Sequence, residues 1–224
     1  MKTKYFIIIF LLITAASIST LTVSCKKNKN VITINGHIFN PYSNQYVENA
    51  TIIISSSKIT SGFYNSNYTD IATTTSDASG AFSFEFDQEK SSGYRFYIYK
   101  ENYFDRTIDI ADADIQPENT YTPTFELYSE GYLKLHVKNS SPFNDNDFIG
   151  YSYNDIDEIN CATCCSNTVF KGYGKTYDTT YKCKTYGSKD VKINWHVTKF
   201  GSDVAFSDTL FCNPFDTTYY EILY

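Results

Sequence analysis

This sequence predicts an all-β chain, with two tandem β-sandwich domains behind a lipoprotein signal peptide, and three observations carry that prediction. The 224 residues are 17% aromatic, with 21 Tyr and 17 Phe, and many of the rest are Ser, Thr and Asn. Such a composition favours strands over long helices or disordered chain. Short runs of period-2 alternation recur between polar turns, the spacing a sandwich needs. The opening thirty residues, finally, read as an address and not as part of the fold.

In that opening segment Lys2 and Lys4 precede the apolar run 5–13, and small or hydroxylated residues then lead to Val23-Ser24-Cys25. Leu21-Thr22-Val23-Ser24-Cys25 resembles a bacterial lipobox, with Thr22 where Leu is usual. The expectation is a signal peptide over residues 1–24 and a lipidated tether over 25–30, with Cys25 carrying the lipid. An uncleaved anchor or a plain secretory signal is the competing reading. Two or more acyl chains on Cys25 give stable attachment without any further membrane segment. Resemblance to lipoproteins of Gram-negative bacteria implies the outer membrane of the cell envelope. Lys26, Lys27 and Lys29 leave the periplasmic or surface face open. Residues 26–30 span at most roughly 18 Å when fully extended, so the first domain is expected close to the bilayer.

Over residues 31–128 the alternation is regular. Ile32, Ile34, Gly36 and Ile38 share one strand face, and Ala50, Ile52 and Ile54 share another. Residues 55–68 read as a long polar excursion. Thr73–Phe86 then reads as a β-hairpin about Asp77-Ala78-Ser79-Gly80, with Phe82, Phe84 and Phe86 on one buried face and Gly80 supplying the turn. Further strands follow at 94–99, 107–110 and 124–127. The order Ile34-Asn35-Gly36-His37-Ile38, Val47 to Ile52, Thr75 to Phe82, Phe96-Tyr97-Ile98 and Asn102-Tyr103 resembles the carboxypeptidase regulatory-domain-like family, a prealbumin-like sandwich. That resemblance implies a non-catalytic module: a spacer, a binding platform or an appendage. Ser76 stands where Thr is commoner, and the 55–68 stretch is longer than the family's loop.

Ser129-Glu130-Gly131 is the expected seam, because charge balance changes there from 13 acids against 5 bases over residues 31–128 to 12 against 9 over 129–224. Beyond it Leu133, Leu135 and Val137 alternate inward, as do Val191, Ile193, Trp195 and Val197, and residues 217–224 form another strand. A second, cysteine-containing sandwich of no recognised family is the expectation for 129–224.

Candidate chemistry is sparse. Net charge is −6, or about −8 once Lys2 and Lys4 leave with the signal, so nucleic acid is not an expected partner. His37, His136 and His196 each stand alone in a strand, and no hydrolase or phosphate-loop motif is present. No cofactor and no enzymatic activity are expected. The competing enzyme class would need a site assembled from loop carboxylates such as Asp145, Asp147 and Asp157. The acidic stretch 144–158 could hold Ca²⁺, but it departs from the EF-hand pattern at Ile149 and Ile156, and a solvated loop is the plainer reading.

With Cys25 lipidated, five cysteines remain, Cys161, Cys164, Cys165, Cys183 and Cys212, all beyond the seam. Two disulfides and one leftover thiol are expected, with Cys183 and Cys212 joined to one another or to the 161–165 cluster. Zinc is the alternative for that cluster. Aromatic residues in apparent loops, Tyr64, Tyr68, Tyr151 and Tyr153 foremost, are candidate contacts for a glycan or an envelope protein, since a Tyr ring offers an apolar face beside polar neighbours. A Tyr- and Asn-rich composition throughout the chain is the competing reading. An accessory subunit of an outer-membrane complex is a third class.

Overall fold

The computed structural model describes residues 30–60, 63–154, 161 and 163–224. Residues 31–224 form one compact unit, all-β, in which two pairs of sheets each close on their own hydrophobic core. Among the described residues no helix is long and apolar enough to cross a membrane.

The first half contains β1 (Val31–Asn40), β2 (Gln45–Tyr46), β3 (Thr51–Thr60), β4 (Phe63–Thr75), β5 (Ala81–Asp87), β6 (Ser91–Tyr99), β7 (Arg106–Ala111) and β8 (Thr124–Glu126). Alternation sets which residues meet. Ile32, Ile34 and Ile38 of β1 and Ile52 and Ile54 of β3 are fully buried, and Phe82, Phe84, Phe96 and Phe125 fill the space between the sheets. Phe125 stacks on Phe82 at 5.8 Å and meets Phe96 at 4.9 Å. Each such side chain stabilises the fold by about 1.5–3 kcal/mol through burial alone.

Two expectations for this half need correction. The Thr73–Phe86 stretch is not a hairpin, because β5 pairs with β1 (Ile34 opposite Phe84) and not with β4. Asp77 makes the corner that carries the chain from one sheet to the other. Its Oδ1 accepts from the backbone N–H of Ser79 and Ala81 at 2.8 and 2.9 Å, while Ser76 Oγ accepts from Ala50 N and donates to Val47 O. At its described residues, 55–60 and 63–68, the polar run is strand and not excursion: β3 and β4 pair through Ser55–Asp70 to Thr60–Phe63, with register shifts. Serine hydroxyls make burial there tolerable, since Ser55 Oγ donates to Asp70 at 2.7 Å and Ser91 Oγ donates to Ser57 O at 3.2 Å.

The second half contains β9 (Glu130–Lys138), β10 (Phe148–Asn154), β11 (Phe170–Tyr173), β12 (Asp178–Tyr186), β13 (Lys189–Lys199), β14 (Ser202–Cys212) and β15 (Thr217–Leu223). Lettered a to g in chain order, with the two-residue β2 set aside, both halves have the same plan. Sheet d-a-g is β5-β1-β8 in the first and β12-β9-β15 in the second, and sheet c-b-e-f is β4-β3-β6-β7 and then β11-β10-β13-β14. Strand a pairs antiparallel with d and parallel with g in both. The repeat is read from the strand pairing.

The halves meet tightly at 128–130. Asn40 Nδ2 donates to Ser129 Oγ at 3.2 Å and Glu130 N to Asn102 O at 2.8 Å, and the Tyr103 ring meets Phe215 at 5.3 Å. Tyr186 packs on Tyr42, Tyr128 and Phe104 at 4.8–5.4 Å, and Lys189 Nζ donates to the Tyr42 hydroxyl at 3.1 Å. The seam is therefore a packed joint.

Candidate functional site

On the outer face of the sheet β11-β10-β13-β14, Gly150 and Ser152 of β10 lie opposite His196 and Asn194 of β13, which lie opposite Ala205 and Ser207 of β14. The alternation that buries Ile149, Tyr151 and Tyr153 is what turns Phe148, Gly150 and Ser152 outward. These short side chains floor a trough of about 450 Å³, with Val169 at its rim. At one side runs a row of rings: Tyr173 meets Phe148 at 5.0 Å, and Phe148 meets His196 at 5.3 Å. Gly150 is required for that row. A Cβ there would stand 2.4 Å from His196 Cε1, so only glycine lets the imidazole lie across β10. The surface thus combines an apolar aromatic edge with a carboxamide, two hydroxyls and an imidazole.

A second constellation sits on the sheet β12-β9-β15. His136 lies between Asp178, at 2.8 Å from Nε2, and Glu221, at 2.7 Å from Nδ1; Asp178 also binds Lys138 at 2.9 Å. Hydrogen bonds to Asp178 and then to Glu221 raise the pKa of His136 above its usual value. His136 is therefore not isolated, contrary to the expectation from spacing. Its carboxylate partners come from strands distant in sequence, which no local motif reveals. Both ring nitrogens are engaged by carboxylates, so the arrangement ties three strands together and leaves neither nitrogen open to a substrate.

The residues singled out in the sequence fare unequally. Cys25 lies outside the described residues. Among the described residues two disulfides are present, Cys161–Cys164 and Cys165–Cys183. Cys212 is the correction: it is free and fully buried. The segment ahead of β11 runs beside β12, with Cys165 N donating to Lys184 O at 2.8 Å, and so delivers Cys165 to Cys183. Cys212 instead ends β14 facing the core, where burial pushes its thiol up to about 11.

Tyr151 and Tyr153 are also corrected. They lie in β10 at 1% exposure, part of the core and not a recognition loop. Tyr68 belongs to β4, half-buried, with the Arg95 guanidinium 4.0 Å above its ring. Tyr64 pairs with Ile59 in the β3–β4 register, but its side chain lies outside the described set.

Asp147, offered for a loop carboxylate site, is buried and accepts from Asn139 Nδ2, Phe143 N and Asn144 N at 2.8–3.1 Å, which makes it a clasp for the 139–147 turn. Asp145 faces Lys175 at 3.4 Å, and Asp157 lies outside the described residues. Among the described residues no group of three or more His, Cys, Asp or Glu could hold a metal ion.

No family model matches the chain, and no curated protein matches it either. Solved structures with similarity include the Bacillus anthracis TIE protein (TM-score 0.36, 11% identity, 85% of this chain and 34% of that one). Others are a streptococcal ancillary pilin (TM-score 0.33, 12% identity, 84% and 64%) and a shaft pilin SpaA variant of Lactobacillus rhamnosus GG (TM-score 0.33, 9% identity, 86% and 96%). The chain thus spans about a third of the first of these, under two thirds of the second and nearly all of the third. Scores of this size assign no family.

Proposed function

We propose that the protein is a lipid-anchored, non-catalytic recognition module of the bacterial cell envelope, and that the trough on β11-β10-β13-β14 takes a neutral glycan. The observation that carries this reading is the lining of the trough by His196, Ser152, Asn194 and Ser207, with the rings of Phe148 and Tyr173 continuing from His196 along the same sheet face. A pyranose presents a C–H face that suits an aromatic edge, and hydroxyls that suit a carboxamide and serines. The acidic mature chain favours an uncharged ligand over a polyanion. The strand order shared by both halves supports extending the carboxypeptidase regulatory-domain-like resemblance of residues 31–128 to 129–224 as a second copy of the same sandwich type. Cys25 in its lipobox-like context supports the anchor.

A glycan array on the purified chain, followed by titration calorimetry, tests the site. His196→Ala and Asn194→Ala should each weaken binding at least tenfold while leaving the Trp195 fluorescence transition in urea in place. Unchanged affinity in both variants, or no glycan bound at all, removes the trough from consideration. For the anchor, metabolic labelling with a clickable fatty acid should mark the wild type and not Cys25→Ser; equal labelling would sink it.

A further inference from the structure

β14 is the outer strand of its sheet and, among the described residues, is paired on one side only. All of Ser202–Thr209 is exposed. Strand edges are normally blunted by charged side chains, lysine above all, by proline or by a bulge, and the charges on β14 are two acids, Asp203 and Asp208. β14 contains no Lys, Arg, Pro or Gly, and its pairing with β13 is unbroken from Lys189–Cys212 to Lys199–Ser202. The other long edge strand, β4, is broken by register shifts, and the edge strand β12 carries Lys182 and Lys184.

Over Val204 and Phe206 the edge is also apolar on its inner side; Asp208, the next residue on that side, is held by Tyr220, whose hydroxyl donates to it at 2.7 Å. Val204 and Phe206 face the same side as Val197 and Trp195 of β13, yet are 49% and 46% exposed. With Phe200 and Leu223 these residues line a groove of about 370 Å³. Comparison of the halves gives the reason. In the first, the link between strands f and g, residues 112–123, sinks Ile115 fully into the core and lays Tyr121 beside β1. In the second the corresponding link is only residues 213–216, too short to cover β14.

We propose that a second copy of this chain covers it, by antiparallel pairing of β14 with the partner's β14 about a two-fold axis at Ala205. In that register Val204 lies opposite the partner's Phe206 and Phe206 opposite the partner's Val204, so the inner apolar face continues across the axis. Asp203 falls opposite the partner's Ser207, and Asp208 opposite the partner's Ser202, so each acid meets a hydroxyl and none meets another acid. Moving the axis by one residue to Phe206 would set Asp208 against the partner's Val204. The sequence of β14 is therefore self-complementary at one register, as an isologous interface demands. Ala205 and Ser207 also belong to the trough, so pairing sets the two troughs side by side, whatever they bind.

Disulfide trapping on the full chain tests this. Directly opposed residues of an antiparallel pair have Cβ atoms about 4.5–5.5 Å apart, so Ala205→Cys should give a covalent dimer on mild oxidation. Ser202→Cys, whose two copies would lie about 20 Å apart, should remain monomeric, as should the wild type with its buried Cys212. Sedimentation should show a wild-type dimer and a Val204→Lys monomer. Ala205→Cys cross-linking no better than Ser202→Cys overturns the proposal, and so does a wild type that sediments as a monomer at tens of micromolar.

Discussion

Replacing Cys165 and Cys183 together by Ala should destabilise the second half by about 3 kcal/mol, because the lost bridge spans 18 residues and the chain-entropy model gives roughly that for a loop of this length. The Cys161–Cys164 bridge spans 3 residues, so the same model gives only about 1.5 kcal/mol for its removal. Packing enlarges the difference, since Cys165 is 5% exposed and belongs to the core of Leu133, Leu135 and Ile193, whereas Cys161 and Cys164 are half-exposed. The chain has one tryptophan, Trp195, packed against that same core, so its fluorescence in urea reads the loss of packing in this half. For a unit of about a hundred residues m is about 1–1.5 kcal/mol/M, and the midpoint should fall by about 2–3 M in the first variant and about 1–1.5 M in the second. Equal shifts, or the larger shift in the Cys161/Cys164 variant, would refute the reasoning, because loop length would then not set the stabilisation.

Cys212, buried and with its thiol pushed up to about 11, should resist iodoacetamide at pH 8 in the native chain and react only in denaturant; rapid native labelling would contradict its place in the core. His136 has a raised folded pKa, so the stability it contributes is fully present below its unfolded value of about 6.5 and is lost as pH rises through the folded value. The Trp195 urea midpoint should therefore fall as pH rises above 6.5, and this part of the slope should vanish in His136→Gln. A wild-type titration by NMR giving a pKa below 6.5 would count against the clamp. A fragment of residues 31–128 should fold alone, since it contains a complete seven-strand plan and its own core, with amide dispersion in NMR as the readout. It should be less stable than the same half in the full chain, because Tyr42, Phe104 and Tyr128 lose the Tyr186 ring they pack against. A random-coil spectrum would place the folding unit elsewhere.

By itself the sequence determined the fold class and most of the core. Period-2 alternation is a local property, so Ile32, Ile34, Ile52, Ile54, Leu133, Leu135 and Ile193 could be assigned inward from neighbours alone, and the structure buries each of them. Cysteine arithmetic likewise required at least one unpaired thiol once Cys25 was set aside for lipid. What local pattern could not decide was partnership. Asp77-Ala78-Ser79-Gly80 has the chemistry of a tight turn whether the next strand returns beside the last or crosses to the other sheet, and only the pairing of β5 with β1 distinguishes them. Tyr151 and Tyr153 looked like loop residues because tyrosine suits both a surface and a core. Their alternation with Gly150 and Ser152 is the local sign that they lie in a strand. The pairing Cys165–Cys183, the carboxylates that hold His136, the trough, and the bare edge of β14 all depend on which strands the tertiary fold sets side by side, and on a short link that leaves one core half covered. Those are long-range facts, and a single chain read in order encodes them only through the packing it finally adopts.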